Sequence, residues 1–103
     1  MVGQFVSGLR ERPAVIAMLH APALPGAARA GLPWVQVVER VLADARAAAA
    51  GGADALLLEN YGDAPFAPGR VPPHVVSLLS VLALRVREVA DLPLGVNILR
   101  NDA

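Results

Sequence analysis

The sequence predicts an α/β fold in which three parallel strands alternate with two helices. Three short apolar runs, at residues 14–19, 55–58 and 94–99, indicate the strands. The run at residues 55–58 is too short for a helix and lacks polar alternation, which is typical of a strand that is covered on both faces. The other two runs also end in polar residues, so we predict three buried strands. Such strands occur mainly in parallel sheets that are flanked by helices.

Two segments with apolar residues at helical spacing separate these runs. The first helix is predicted to begin near Pro33, because proline is favoured at the first helical position, and to end with Gly51 as a left-handed C-cap. The second is predicted to begin near Pro72 and Pro73. The apolar stripes recur every three or four residues: Val37, Val41, Ala45 and Ala48 in the first helix, and Val75, Leu79, Leu82, Val86 and Val89 in the second. The expected topology is β-α-β-α-β with right-handed crossovers and strand order 1-2-3.

Composition restricts the chemistry that the chain can perform. Its 103 residues allow one domain at most, and nine basic residues balance nine acidic ones, so nothing indicates attraction to nucleic acid. The absence of cysteine excludes disulfides and a thiol nucleophile. No apolar run is long enough to span a membrane and no secretory signal is evident, so we expect a cytoplasmic protein.

Polar residues follow each predicted strand: His20 after the first, Glu59 and Asn60 after the second, and Arg100, Asn101 and Asp102 after the third. The carboxyl ends of parallel strands are where α/β proteins bind ligands. Asn97 should share a face of its strand with Gly95 and Leu99, opposite the aliphatic residues that contact the helices. Asp54, at the other end of the second strand, is assigned to turn stability. His74, in the first turn of the second helix, is expected to be a surface residue rather than a catalyst.

Glu59 is the central candidate, with His20 expected on one side and Asn97 or Arg100 on the other. One interpretation is an ion pair between Glu59 and Arg100, because buried charges are usually paired. The alternative is that Glu59 and His20 act as catalytic acid and base on a ligand. An imidazole and two carboxylates also suit a divalent cation, which His20, Glu59 and Asp102 would bind, but a hydrogen-bonded network without metal is favoured. The residues specify no cofactor.

Three segments resemble the BtpA family, which includes SgcQ-type proteins. They read HAPALPG at residues 20–26, GGAD at 51–54 followed by ENYGDAPF at 59–66, and PLGVNILRNDA at 93–103. The resemblance implies a single-domain (β/α)8 barrel, of which residues 1–103 would form an incomplete part, the first three strands and two helices. The family is named for a factor in photosystem I biogenesis, and other members lie among genes of sugar metabolism.

Three functions are compatible with this resemblance. The first is an enzyme or binder that acts on a small, sugar-like or phosphorylated ligand. Its catalytic residues would be Glu59 and His20, and its ligand-binding residues Asn60, Asp63, Asn97, Arg100, Asn101 and Asp102. The second is a non-enzymatic assembly factor for photosystem I or another complex. The third is a truncated fragment without independent function, which we expect to self-associate through exposed sheet edges.

Overall fold

The computed structural model describes residues 12–27, 29–66 and 69–99. Its three strands are β1 (Ile16–His20), β2 (Ala55–Glu59) and β3 (Leu94–Asn97), and its two helices are α1 (Trp34–Ala50) and α2 (Pro73–Val89). A short 3₁₀ turn, Tyr61–Asp63, follows β2. Within this part of the chain, no helix has the length and apolar character needed to cross a membrane.

The strands form one parallel sheet in the order β1-β2-β3. The predicted β-α-β-α-β arrangement is therefore confirmed, and the strand and helix bounds differ from the predicted ones by only one or two residues. The register aligns His20 with Glu59 and Glu59 with Asn97. The last residues of all three strands thus lie side by side at the carboxyl end of the sheet.

Both helices cover the same face of the sheet. Right-handed crossovers between neighbouring strands taken in order place successive helices on one side. The core lies between that face and the helices, and its most buried members include Leu19, Leu56 and Leu58 from the sheet and Val37, Val41, Leu79, Leu82 and Val86 from the helices. The predicted helical stripes are the buried ones, except that Ala48 and Val89 are only partly buried.

The opposite face of the sheet is open in the described part of the chain. Ile16 and Met18 of β1 point to it and are 51% and 44% exposed. The prediction of three buried strands is therefore wrong for β1, whereas the residues of β2 are buried or half-buried. The reason is the shared handedness of the two crossovers, which leaves no described helix for the second face. Asn97 lies on this open face, opposite the helices, as predicted.

The turn between α1 and β2 differs from the prediction by one residue. Gly51 has φ −79° and stays in the right-handed region, whereas Gly52 has φ +90°. The amide of Gly52 donates to the carbonyl of Ala49, and the amide of Ala53 donates to that of Ala48. These two bonds define a Schellman motif, whose left-handed residue is the one after the C-cap. The left-handed glycine is therefore Gly52 and not Gly51.

Asp54 joins the start of β2 to the segment that leads into β1. Its Oδ2 accepts hydrogen bonds from the amide of Val15 at 2.8 Å and from Nη1 of Arg12 at 2.7 Å, and Nη2 of Arg12 contacts Oδ1. The guanidinium of Arg12, followed by the amide of Val15, holds the pKa of Asp54 below its ordinary value. Asp54 therefore stabilises the amino end of the sheet through contacts that reach across the strands.

Candidate functional site

Three polar side chains form a row at the carboxyl end of the open face. Because side chains alternate along a strand, the aligned residues His20, Glu59 and Asn97 all point to the same side of the sheet. That side is the one that the helices leave uncovered. The sequence therefore brings together an imidazole, a carboxylate and an amide from three separate strands.

Glu59 lies at the centre of this row and uses both carboxylate oxygens. Its Oε1 accepts a hydrogen bond of 3.0 Å from Nδ2 of Asn97. Its Oε2 lies 3.3 Å from Nε2 of His20. The residue is only 9% exposed. The predicted neighbours His20 and Asn97 are confirmed as contacts, whereas Arg100, the other predicted neighbour, lies outside the described residues.

The imidazole of His20 is more accessible than the carboxylate that it faces. The side chain of His20 is 45% exposed, compared with 12% for that of Glu59. The ring of Tyr61 stacks on the imidazole, with centroids 4.3 Å apart and planes 13° from parallel. Sequence reasoning assigned no role to Tyr61. Its position two residues after Glu59 was the available signal, because a 3₁₀ turn there returns the side chain to the end of the strand.

Asn60 and Asp63 form a second, buried polar group beneath the loops. Asn60 is 1% exposed, and its side chain accepts from the amide of Leu99 at 2.6 Å and donates to the carbonyl of Leu99 at 3.0 Å. Its Nδ2 also lies 3.3 Å from Oδ2 of Asp63, and Oδ1 of Asp63 accepts from the amide of Leu24 at 2.7 Å. These two predicted ligand-binding residues thus join the loops after β1 and β3 to the end of β2.

Gly62 allows the loop after β1 to lie directly on the loop after β2. A Cβ atom at this position would lie 2.6 Å from the carbonyl carbon of Pro22 and 2.8 Å from the carbonyl oxygen of Ala21. The amide of Gly62 donates to that oxygen at 3.0 Å, and the amide of Ala21 donates to the carbonyl of Glu59 at 2.9 Å. Main-chain bonds therefore fix the positions of His20 and Glu59 on either side of this contact.

A cavity of about 170 Å³ opens between the loop after β1, the loop after β2 and the start of α2. Its polar lining comes from Asn60, Asp63 and His74, and its apolar lining includes Phe66, Val71 and Val75. His74 is exposed, as expected of a surface residue. Sequence reasoning did not place it at a cavity, because the loop at residues 25–27 comes near it only in the folded chain.

The structure describes the chain after β3 as far as Leu99. The predicted ligand-binding residues Arg100, Asn101 and Asp102 lie outside the described residues. The described ranges contain no cluster of three or more His, Cys, Asp or Glu side chains suited to a metal ion. His20 and Glu59 could contribute two ligands to a divalent cation; the third that the sequence offered, Asp102, lies beyond residue 99.

Comparison with known proteins identifies relatives over most of the chain. The model of the BtpA family matches residues 11–103. The Photosystem I biogenesis protein BtpA of Synechocystis sp. is 44% identical over 89 residues, which are 86% of this chain and 31% of that protein. An uncharacterized protein of Archaeoglobus fulgidus is 43% identical over 86% of this chain and 35% of its own length. One from Thermococcus kodakarensis is 41% identical over 89% of this chain and 35% of its own length.

The chain spans about a third of the length of these curated relatives. No solved structure matches it at a significant level. The relatives are thus similar to this chain over its β-α-β-α-β unit, and most of their own sequence lies outside the comparison.

Proposed function

Because this chain belongs to the BtpA family, we propose that the full-length protein binds a small, sugar-like or phosphorylated ligand at the carboxyl end of the sheet. Glu59 and His20 together handle a proton of that ligand. The observation that carries the proposal is the buried carboxylate of Glu59, held between the imidazole of His20 and the amide of Asn97. Carboxylate and imidazole in contact are a common pair for general acid–base catalysis.

The surroundings of the pair support a polar ligand that carries hydroxyl groups. Amide, imidazole and carboxylate groups can each exchange hydrogen bonds with hydroxyls. Tyr61 is 57% exposed beside them and offers an amphipathic ring against which an apolar part of a ligand can pack. In the (β/α)8 barrels that the family resemblance implies, ligands bind at the same end of the strands. Arg100, Asn101 and Asp102 complete the proposed binding set.

The test is a ligand screen on the full-length protein. Thermal unfolding is measured with glucose 6-phosphate, ribose 5-phosphate, fructose and inorganic phosphate for the wild type and for Glu59→Gln. A ligand at a hundred times its Kd stabilises the folded state by about 2.7 kcal/mol, which is a readily measured shift. We expect at least one sugar or sugar phosphate to stabilise the wild type and to lose most of that effect in Glu59→Gln.

The matched control is Glu39→Gln, which removes the charge of an exposed glutamate on α1. This control should retain the full ligand effect. If Glu59→Gln remains folded and is stabilised as strongly as the wild type, then Glu59 belongs to the scaffold and the proposed role is wrong.

A second candidate function comes from the printed name of the Synechocystis relative, Photosystem I biogenesis protein BtpA. By analogy, this protein would act as an assembly or stability factor for a complex through its surface. A Synechocystis strain that lacks its own BtpA separates the two functions, with the full-length protein supplied as wild type or as Glu59→Gln. Equal recovery of photosystem I with both versions would favour the assembly role. Loss of recovery with Glu59→Gln alone would favour a ligand-dependent role.

A further inference from the structure

The geometry points to a division of roles within the pair. We propose that Glu59 acts on the ligand only through His20: its carboxylate holds the imidazole proton on Nε2, which leaves Nδ1 as the atom that exchanges a proton with the ligand. This inference rests on the proposed function for its biological meaning. The position of the imidazole proton in the ligand-free protein can be measured whether or not the proposed function is correct.

His20 is more accessible to a ligand than Glu59. The side chain of Glu59 is 12% exposed and both of its oxygens are occupied, by Asn97 and by His20. The side chain of His20 is 45% exposed. A group that touches the ligand must be accessible, so His20 is the catalytic residue of the pair and Glu59 is a positioning residue.

The contact with Glu59 determines which ring nitrogen of His20 carries the proton. A neutral imidazole carries its proton on one ring nitrogen and a lone pair on the other. Nε2 lies 3.3 Å from the carboxylate oxygen Oε2 of Glu59. A lone pair on Nε2 would face a negatively charged acceptor, whereas a proton there is attracted to it. The contact is long for an N–H···O bond, as such contacts often are before a ligand binds.

Tyr61 and Asn97 hold the imidazole of His20 and the carboxylate of Glu59 in their orientations. Tyr61 stacks nearly parallel to the imidazole and limits its tilt. Asn97 donates to Oε1 of Glu59 and so holds the other oxygen towards His20. When Nδ1 accepts a proton from a hydroxyl or an acidic C–H of the ligand, the ring becomes imidazolium and the ligand is left as its conjugate base. Glu59 stays ionised and stabilises the imidazolium, as the buried aspartate does in a serine-protease triad.

The same contacts predict which ring nitrogen of His20 carries the proton in the variant Glu59→Gln. With the amide of Asn97 in the same orientation, its Nδ2 donates to the carbonyl oxygen of the new glutamine, and the glutamine NH₂ faces Nε2 of His20. Nε2 must then accept a hydrogen bond, and the imidazole proton moves to Nδ1. The nitrogen proposed to act as the base therefore loses its free lone pair, although the shape of the site is retained.

The experiment is ¹⁵N NMR of the His20 ring in the full-length, ligand-free protein, at a pH where the imidazole is uncharged. Protonated and unprotonated ring nitrogens give well-separated signals, so the dominant tautomer is read directly. We expect the Nε2–H form in the wild type and the Nδ1–H form in Glu59→Gln. A dominant Nδ1–H form in the wild type would overturn the proposal, even if no variant folds.

Two further variants test the mechanism of this change. Asn97→Ala keeps the charge of Glu59 and should keep the Nε2–H form. In the double variant Asn97→Ala/Glu59→Gln, the glutamine is free to turn its carbonyl towards Nε2, and the Nε2–H form should return. An unchanged tautomer in Glu59→Gln would contradict the arrangement in which Asn97 orients the side chain at position 59 towards His20. Because the protein is ligand-free throughout, failure of the ligand screen leaves this result interpretable.

Discussion

Strand β2 has a carboxylate at each end, and the two are paired in different ways. Asp54, just before the strand, contacts the guanidinium of Arg12 and the amide of Val15. Glu59, the last residue of the strand, contacts the imidazole of His20 and the amide of Asn97. Only five positions separate them, yet one faces a permanent cation and the other faces a group whose charge can change.

The difference supports the proposal that Glu59, and not Asp54, takes part in proton transfer. An arginine guanidinium cannot be deprotonated in a protein, so the pairing of Asp54 with Arg12 is fixed at all ordinary pH values. An imidazole, unlike a guanidinium, has both a neutral and a charged form. The carboxylate of Glu59 can therefore stabilise two charge states of its partner, whereas that of Asp54 serves the sheet alone.

The largest predicted effect on stability is at the carboxyl end of the sheet, where the loops after β1 and β2 meet. In Gly62→Ala, the new methyl group would overlap the main chain of residues 21–23. Because backbone atoms cannot move aside as a flexible side chain can, we expect a loss of about 3 kcal/mol in the free energy of unfolding. Urea unfolding of the full-length protein measures it.

The control is Gly31→Ala, whose Cβ would approach no nearer than 4.0 Å to the carbonyl of Arg29. Its free energy of unfolding should stay within about 0.5 kcal/mol of the wild type. Equal effects of the two substitutions would show that the contact at Gly62 does not hold the loops together.

A smaller loss of stability is predicted for Asn60→Ala, at the same end of the sheet. The substitution removes both bonds to the main chain of Leu99 and leaves buried polar groups without partners. A loss of about 2 kcal/mol in the free energy of unfolding is expected. The control, Ser80→Ala, removes only an exposed bond to the carbonyl of Val76 and should change stability little. A neutral Asn60→Ala would mean that Asn60 does not join β2 to β3.

A smaller effect on stability than that of Asn60→Ala is predicted at the amino end of the sheet, and it depends on pH. Folding lowers the pKa of Asp54, so its contribution is complete above the unfolded pKa and is lost as the pH falls through the lower folded pKa. Asp54→Asn should therefore unfold at a lower temperature than the wild type near neutral pH, and this difference in unfolding temperature should shrink as the pH falls below the ordinary pKa of an aspartate, about 4. Thermal unfolding across this range checks it. A difference in unfolding temperature that does not depend on pH would contradict the pairing of Asp54 with Arg12.

Much of this architecture follows from the sequence because burial and strand order leave a local pattern. The apolar runs, the helical stripes and the polar strand ends are each visible within a few residues, and the parallel order then brings His20, Glu59 and Asn97 together. The left-handed glycine was misplaced by one position because Gly51 and Gly52 both permit that conformation. Only the hydrogen bonds of the completed turn distinguish them.

Other features depend on contacts between segments that are distant in the chain. The stack of Tyr61 on His20, the bond from Asp63 to the amide of Leu24 and the place of His74 at a cavity leave no periodic pattern. The exposure of β1 was also missed, because the apolar run at residues 14–19 cannot show whether one face or both meet a helix. These features require the folded arrangement of the loops.

The most direct test of the account compares Asp54→Asn and Glu59→Gln in the full-length protein. Each removes one charge from β2 without changing the size of the side chain. Thermal unfolding near neutral pH is recorded with and without the sugars and phosphates of the ligand screen. We expect Asp54→Asn to lower the unfolding temperature and to keep the ligand-induced shift, whereas Glu59→Gln should keep the unfolding temperature within a few degrees and lose the ligand-induced shift. The reverse pattern, or an equal ligand-induced shift in both variants, would contradict it.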